Sequence, residues 1–186
     1  MANHVIIDHL QLITIFVQVV QPYAGPNIEN PAVKYCGEIL PIMTTIVMNF
    51  TSSTPILERV CRCWRYMIIS YRTSMIPLLP ALAESIANGF QVSREGCFLW
   101  TTDAVVREFS DGAELVDQAT SSAVFQFYEQ QAVTFLRILN DLPPENLPDG
   151  KSKSTFSFQK RERKKKGTPI YLYALYAIEF FLINWL

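Results

Sequence analysis

Histidine is almost missing: the 186 residues hold two, His4 and His9. The rest of the chain therefore lacks an imidazole to act as general base, to activate a nucleophile or to bind zinc. Glycine is also scarce, at 7 residues, and no Gly-rich loop of phosphate-binding spacing occurs. The four cysteines, Cys36, Cys61, Cys63 and Cys97, are scattered through predicted helices with no secretory signal ahead of them. Reduced structural thiols in a cytosolic or nuclear protein fit that usage better than a disulfide framework. No nucleophile stands beside a base and no metal-binding motif appears, so neither enzymatic activity nor a cofactor or metal is expected. Asp103, Glu108, Asp111 and Glu114 read as helix-surface and cap residues. The apolar run Val5–Val20 is broken by Asp8, His9, Gln11 and Gln18 and has no basic segment before it. It reads as an amphipathic helix, not a targeting peptide.

What is present is apolar and helical. Hydrophobic residues make up 49% of the chain and recur at helical spacing. Six helices are expected, at about 4–20, 31–49, 54–71, 74–90, 94–109 and 113–141. Pro31 suits the first helical position after Asn30, and Pro55 the same position after a Ser53 or Thr54 cap, with Glu58 as capping-box partner. Pro77 and Pro80 should make the first turns of the fourth helix irregular. The second, fourth and sixth helices start roughly 40 residues apart, and so do the third and fifth. A helix pair recurring at that period indicates an all-α superhelix of HEAT or armadillo type, with about three pairs.

Charge divides the chain. Residues 1–149 hold 8 basic against 15 acidic side chains, whereas residues 150–186 hold 8 against 2. An acidic body argues against a general nucleic-acid footprint. Four of its basic residues nonetheless cluster around one helix: Arg59, Arg62, Arg65 and Arg72. At 100° per residue all four fall within an arc of roughly 140°, opposite Val60, Cys61, Cys63, Trp64, Met67 and Ile68. Cys61 and Cys63, two residues apart in "ERVCRCWRY", point about 160° apart and cannot share a metal ion on an intact helix. A guanidinium fork suits phosphate and carboxylate, but a solvated face satisfied by Glu58 and Glu84 has the same spacing. Spacing does not choose between them.

The stretches "ILERVCRCWRYMIISYR", "PLLPALAESIANGF", "GCFLWTTDAVVREFS" and "FQFYEQQAVTFLRILNDLPPENLPD" resemble the importin-β superfamily of nuclear transport receptors. Their nearest likeness is to the transportin-SR and fungal mRNA transport regulator branch. The resemblance covers about residues 8–149 and implies a HEAT-repeat solenoid fragment that binds protein cargo and shuttles between nucleus and cytoplasm. In that branch an arginine-rich helix receives phosphorylated Arg/Ser segments of mRNA-binding proteins, and Arg59, Arg62 and Arg65 match it. The animal receptors carry a further arginine where this chain has Ile69, so Arg72 is the candidate substitute. Fungal cargo also includes Arg-Gly-rich proteins. Ran GTPase and nucleoporins are expected to bind only through parts of the full-length receptor outside this sequence.

After Asp149 the pattern stops. Residues 150–169 read as a basic polar linker and 170–186 as an apolar segment. "GKS" can be encoded across an intron donor, which makes translated intron one origin for residues 150–186. The alternative is a tail-anchored membrane protein, but the 17 apolar residues reach only about 25 Å against a hydrocarbon core of roughly 30 Å. Glu179 lies within that segment.

Overall fold

The computed structural model describes residues 2–20, 31–109 and 118–141. The expected linker and apolar segment after residue 149 lie outside the described residues, as do Asn30 and the expected start of the last helix at 113. Among the described residues there are six α-helices: α1 (Ala2–Val19), α2 (Pro31–Asn49), α3 (Thr54–Tyr71), α4 (Leu79–Ser93), α5 (Gly96–Phe109) and α6 (Gln118–Asn140). A 3₁₀ segment, Arg72–Leu78, joins α3 to α4. Among the described residues there is no strand.

Apolar spacing explains each helix. In α2 the buried residues are Ala32, Cys36, Leu40, Met43 and Val47, one stripe at steps of three and four. In α3 the stripe is wider and includes Val60, Cys61, Cys63, Trp64, Met67 and Ile68. The predicted irregularity around Pro77 takes the form of the 3₁₀ segment, and α4 begins with Pro80 in its first turn. The Ser53 side chain makes no cap hydrogen bond, so the expected capping box does not close from that side. Thr54 Oγ1 instead donates to Glu95 Oε1 at 2.7 Å.

The helices pack in two rows, α1–α3–α5 and α2–α4–α6, which meet through the α2–α3 and α4–α5 contacts. This is the two-layered packing of a helix-pair superhelix, in which each pair buries its apolar face on the next. Trp64 of α3 tilts against Phe98 of α5 at 6.4 Å, and Phe90 of α4 meets the edge of Phe135 of α6 at 4.9 Å. Polar links also cross from one repeat to the next. The Thr44 and Ser85 hydroxyls lie 2.7 Å apart, and this pair and Thr54–Glu95 are each separated by 41 residues. That separation is the repeat period expressed as hydrogen bonds. Gln131 Nε2 donates to Ala83 O at 2.8 Å and ties α6 to α4. Among the described residues, no helix is long and apolar enough to cross a membrane.

Candidate functional site

α3 is the middle helix of its row, with α1 on one side and α5 on the other. Its wide apolar face is fully covered, which fixes the helix rotation and leaves Arg59, Arg62 and Arg65 on the remaining side, each half-buried. Arg59 Nη1 donates to Gln11 Oε1 of α1, so the first guanidinium is held by a neutral side chain that leaves its charge uncompensated. Arg62 has no hydrogen-bond or ion-pair partner among the described residues. The Arg65 guanidinium carbon lies 4.4 Å from the Trp100 ring centroid and 5.6 Å from that of Tyr66. Its Nε is buried without a hydrogen-bond partner. Burial lowers the Arg65 pKa, and nearby Arg107 and Arg62 act in the same direction, against Tyr66 and Asp103. Arg62 of α3 and Arg107 of α5 thus both lie within electrostatic range of Arg65.

Arg72 is placed differently. It caps α3 with φ 45° and ψ −122°, so the helical arc does not extend to it. Its Nε lies 2.6 Å from Glu108 Oε1, and its side chain is 53% exposed. The structure thus brings Arg59, Arg62 and Arg65 together and turns Arg72 toward a carboxylate of α5. Sequence reading missed the α5 contribution. Asp103, assigned there to the helix surface, is 2.9 Å from Arg107 Nη2 and borders the cluster. Burial raises the Asp103 pKa, an effect opposed by Arg107 and Arg65. The available signal was the spacing of Trp100, Asp103 and Arg107, which puts them on one stripe, roughly 60° wide, of an α-helix.

The cysteines belong to the packing. Cys61 and Cys63 are both buried and face different neighbours, as helix geometry requires. The neighbouring Cys61 thiol of α3, together with burial, pushes the Cys97 thiol of α5 far up. Cys63 meets Thr14 of α1, and burial raises it to about 12. Burial likewise raises Cys36 to about 11. Such thiols stay protonated at neutral pH and are poor ligands and nucleophiles. Among the described residues, no group of three His, Cys, Asp or Glu side chains is placed to hold a metal ion.

Comparison with known proteins agrees with this architecture. A family model described as the transportin-3/importin-13 fourth TPR domain matches residues 30–135. An uncharacterised protein of Schizosaccharomyces pombe is 30% identical over 142 residues, which cover 76% of this chain and 15% of that protein. The mRNA transport regulator MTR10 of Saccharomyces cerevisiae is 24% identical over 129 residues, covering 69% of this chain and 13% of its own length. The chain thus spans about 15% or less of the length of these curated relatives. No solved structure matches it at comparable significance.

Proposed function

Since the chain belongs to the transportin-3/importin-13 family of importin-β-type nuclear transport receptors, we propose that it serves nuclear import by binding protein cargo through Arg59, Arg62 and Arg65. The cargo is an mRNA-binding protein with a phosphorylated Arg/Ser segment, rather than an Arg-Gly-rich one. The observation that carries this reading is the cluster itself. Three guanidinium groups share one face of α3, and neither Gln11 nor Trp100 neutralises the charge it holds. Phosphoserine brings about −1.5 to −2 charges and three acceptor oxygens, which match such a cluster, whereas an unphosphorylated arginine-rich segment is repelled by it. The similarity to an mRNA transport regulator supports the same cargo class. Residues 1–149 are assigned to the solenoid, and the receptor as a whole to shuttling between nucleus and cytoplasm. Binding to Ran and nucleoporins is assigned to other parts of a full-length receptor. No nucleic-acid contact or enzymatic role is assigned to the chain.

The test is fluorescence anisotropy with a labelled, phosphorylated Arg/Ser peptide. Replacing Arg59, Arg62 and Arg65 together by Ala should weaken binding by at least ~10-fold, given the strength of charge-assisted hydrogen bonds. Helicity by circular dichroism should be preserved. Unchanged affinity in the triple variant rejects the assignment.

A further inference from the structure

α1 is apolar on two sides. Leu10, Thr14 and Val17 are buried on the side that packs against α3. Val5, Leu12, Ile15, Phe16 and Val19 lie on the opposite side, within an arc of roughly 100°, and are 44–70% exposed. Tyr35 of α2 extends this stripe, its ring centroid 6.0 Å from that of Phe16. Val5, Leu12 and Val19 recur every seventh residue, and Asp8 and Ile15 each fall three positions after one of them. That is the a/d seam of a helix built to pair with another helix, with one polar d position. Two features select the occupant. α1 contains no Lys or Arg, whereas a helix lying on a membrane surface carries basic side chains beside its apolar face. The side of α2 opposite its buried stripe bears Lys34, Glu38 and Thr45, all exposed. A further helix pair of the superhelix would cover α1 and α2 together and desolvate those charges. The apolar face fits a single helix laid along α1.

We propose that the occupant is a second copy of this chain, the two α1 helices lying antiparallel about a two-fold axis at Leu12. The proposal is independent of the cargo reading. A chain whose exposed stripe has a/d spacing is its own complement, and a two-fold contact uses the same patch on both copies. Asp8 fixes the direction. Parallel helices would set the two Asp8 carboxylates side by side in the seam. The antiparallel arrangement separates them by ~12 Å along the axis, beyond the screening length of ~10 Å at 0.1 M salt. The area is sufficient. With Tyr35, the stripe exposes on the order of 600 Å² of apolar surface, at the top of the range left uncovered on a monomer. Two copies face to face bury roughly 1,200 Å², the lower bound of a stable interface. An interface of that size points to a reversible dimer at the micromolar end of the affinity range.

The test is sedimentation velocity on the full chain across the micromolar range, where monomer should give way to dimer as concentration rises. Leu12→Glu sets two carboxylates face to face on the axis and should weaken the dimer at least ~10-fold, as like charges across an interface do. Leu12 is 64% exposed, so helicity by circular dichroism should be unchanged. Cross-linking gives a second measurement. With oxidised glutathione, Leu12→Cys should form a disulfide-linked dimer beyond the level of the unaltered chain. Val19→Cys should not, because its counterpart lies ~21 Å away along the axis. A monomer at every concentration overturns the proposal. So does a dimer that withstands Leu12→Glu, which would place the contact elsewhere, for example in the apolar residues 170–186. Equal cross-linking through Val19→Cys and Leu12→Cys overturns the antiparallel two-fold.

Discussion

The Arg65 guanidinium carbon stands 4.4 Å from the centroid of the Trp100 ring, joining the arginine face of α3 to its neighbour α5. A cation over an indole face is stabilised by ~0.5–2 kcal/mol, depending on exposure. Here the contact also decides orientation. A long side chain that would otherwise sample many rotamers is held against the ring, so less freedom is lost when an anion arrives.

Trp100 is therefore expected to act as a positioning residue. Trp100→Leu keeps apolar bulk but removes the ring, and should weaken phosphopeptide binding by ~3- to 10-fold, in line with the loss of one partly exposed cation–π contact. Trp100→Phe should recover much of that loss, because it keeps a π face. A simple packing defect would show instead as lower thermal stability in both variants, with no difference between them in affinity.

Arg72 leads to the opposite expectation. Its φ of 45° with ψ −122° is strained for any residue but glycine. The ion pair with Glu108 is partly screened, the Arg72 side chain being 53% exposed although that of Glu108 is 17% exposed, and contributes modestly. Arg72→Gly should leave thermal stability unchanged or raise it by up to ~1 kcal/mol, since relief of strain outweighs the lost pair. Phosphopeptide affinity should change by less than about twofold, the scale of a weak exposed ion pair. A loss as large as that caused by Arg62→Ala would instead return Arg72 to the binding site.

Most of the fold is legible in the sequence because it rests on periodicity. The bounds of α2 and α3, the irregular turns around Pro77 and the 40-residue repeat all follow from spacing and proline placement. The orientation of Arg59, Arg62 and Arg65 is legible for the same reason. The partners of those arginines are not, because Gln11 and Trp100 sit 48 and 35 positions away and meet α3 only through solenoid stacking. Arg72 shows a second limit. A helical wheel assumes that the helix continues, and here it ends one residue earlier, at Tyr71.

Gly89 offers a test of the packing between repeats. A Cβ at this position would overlap Phe98 ring carbons Cε1 and Cζ and approach Val47 Cγ1 to 3.0 Å. Gly89 thus lets α4 sit close to both α5 and α2. On an open helix surface Ala would be favoured over Gly by ~1 kcal/mol. In this contact Gly89→Ala should instead destabilise the chain by ~1–3 kcal/mol, the usual cost of overpacking. Phe98→Leu is costly alone, but in its background Gly89→Ala should become close to neutral. A double-mutant cycle by urea unfolding reads this coupling, and additive effects would show that the Gly89–Phe98 contact is not the cause.

The buried thiols predict how stability responds to alkali. Burial holds Cys36 at about 11 and Cys63 at about 12, against an ordinary value of 9.0. Because the folded state favours the protonated form, this contribution is complete below pH 9 and is lost as pH rises through the folded values. The unfolding free energy from urea titration should therefore hold steady from pH 7 to pH 8 and then fall between about pH 9 and pH 11, by at most ~1.4 kcal/mol per pH unit for each thiol. Cys36→Ala and Cys63→Ala should each start lower at pH 7, because each leaves a small cavity, yet decline less steeply over the alkaline range. Equal slopes in the variants and the unaltered chain would mean that other groups drive alkaline unfolding. Thiol reagents offer an independent measurement: at pH 8 the native chain should react slowly at Cys36 and Cys63, and promptly once urea exposes them.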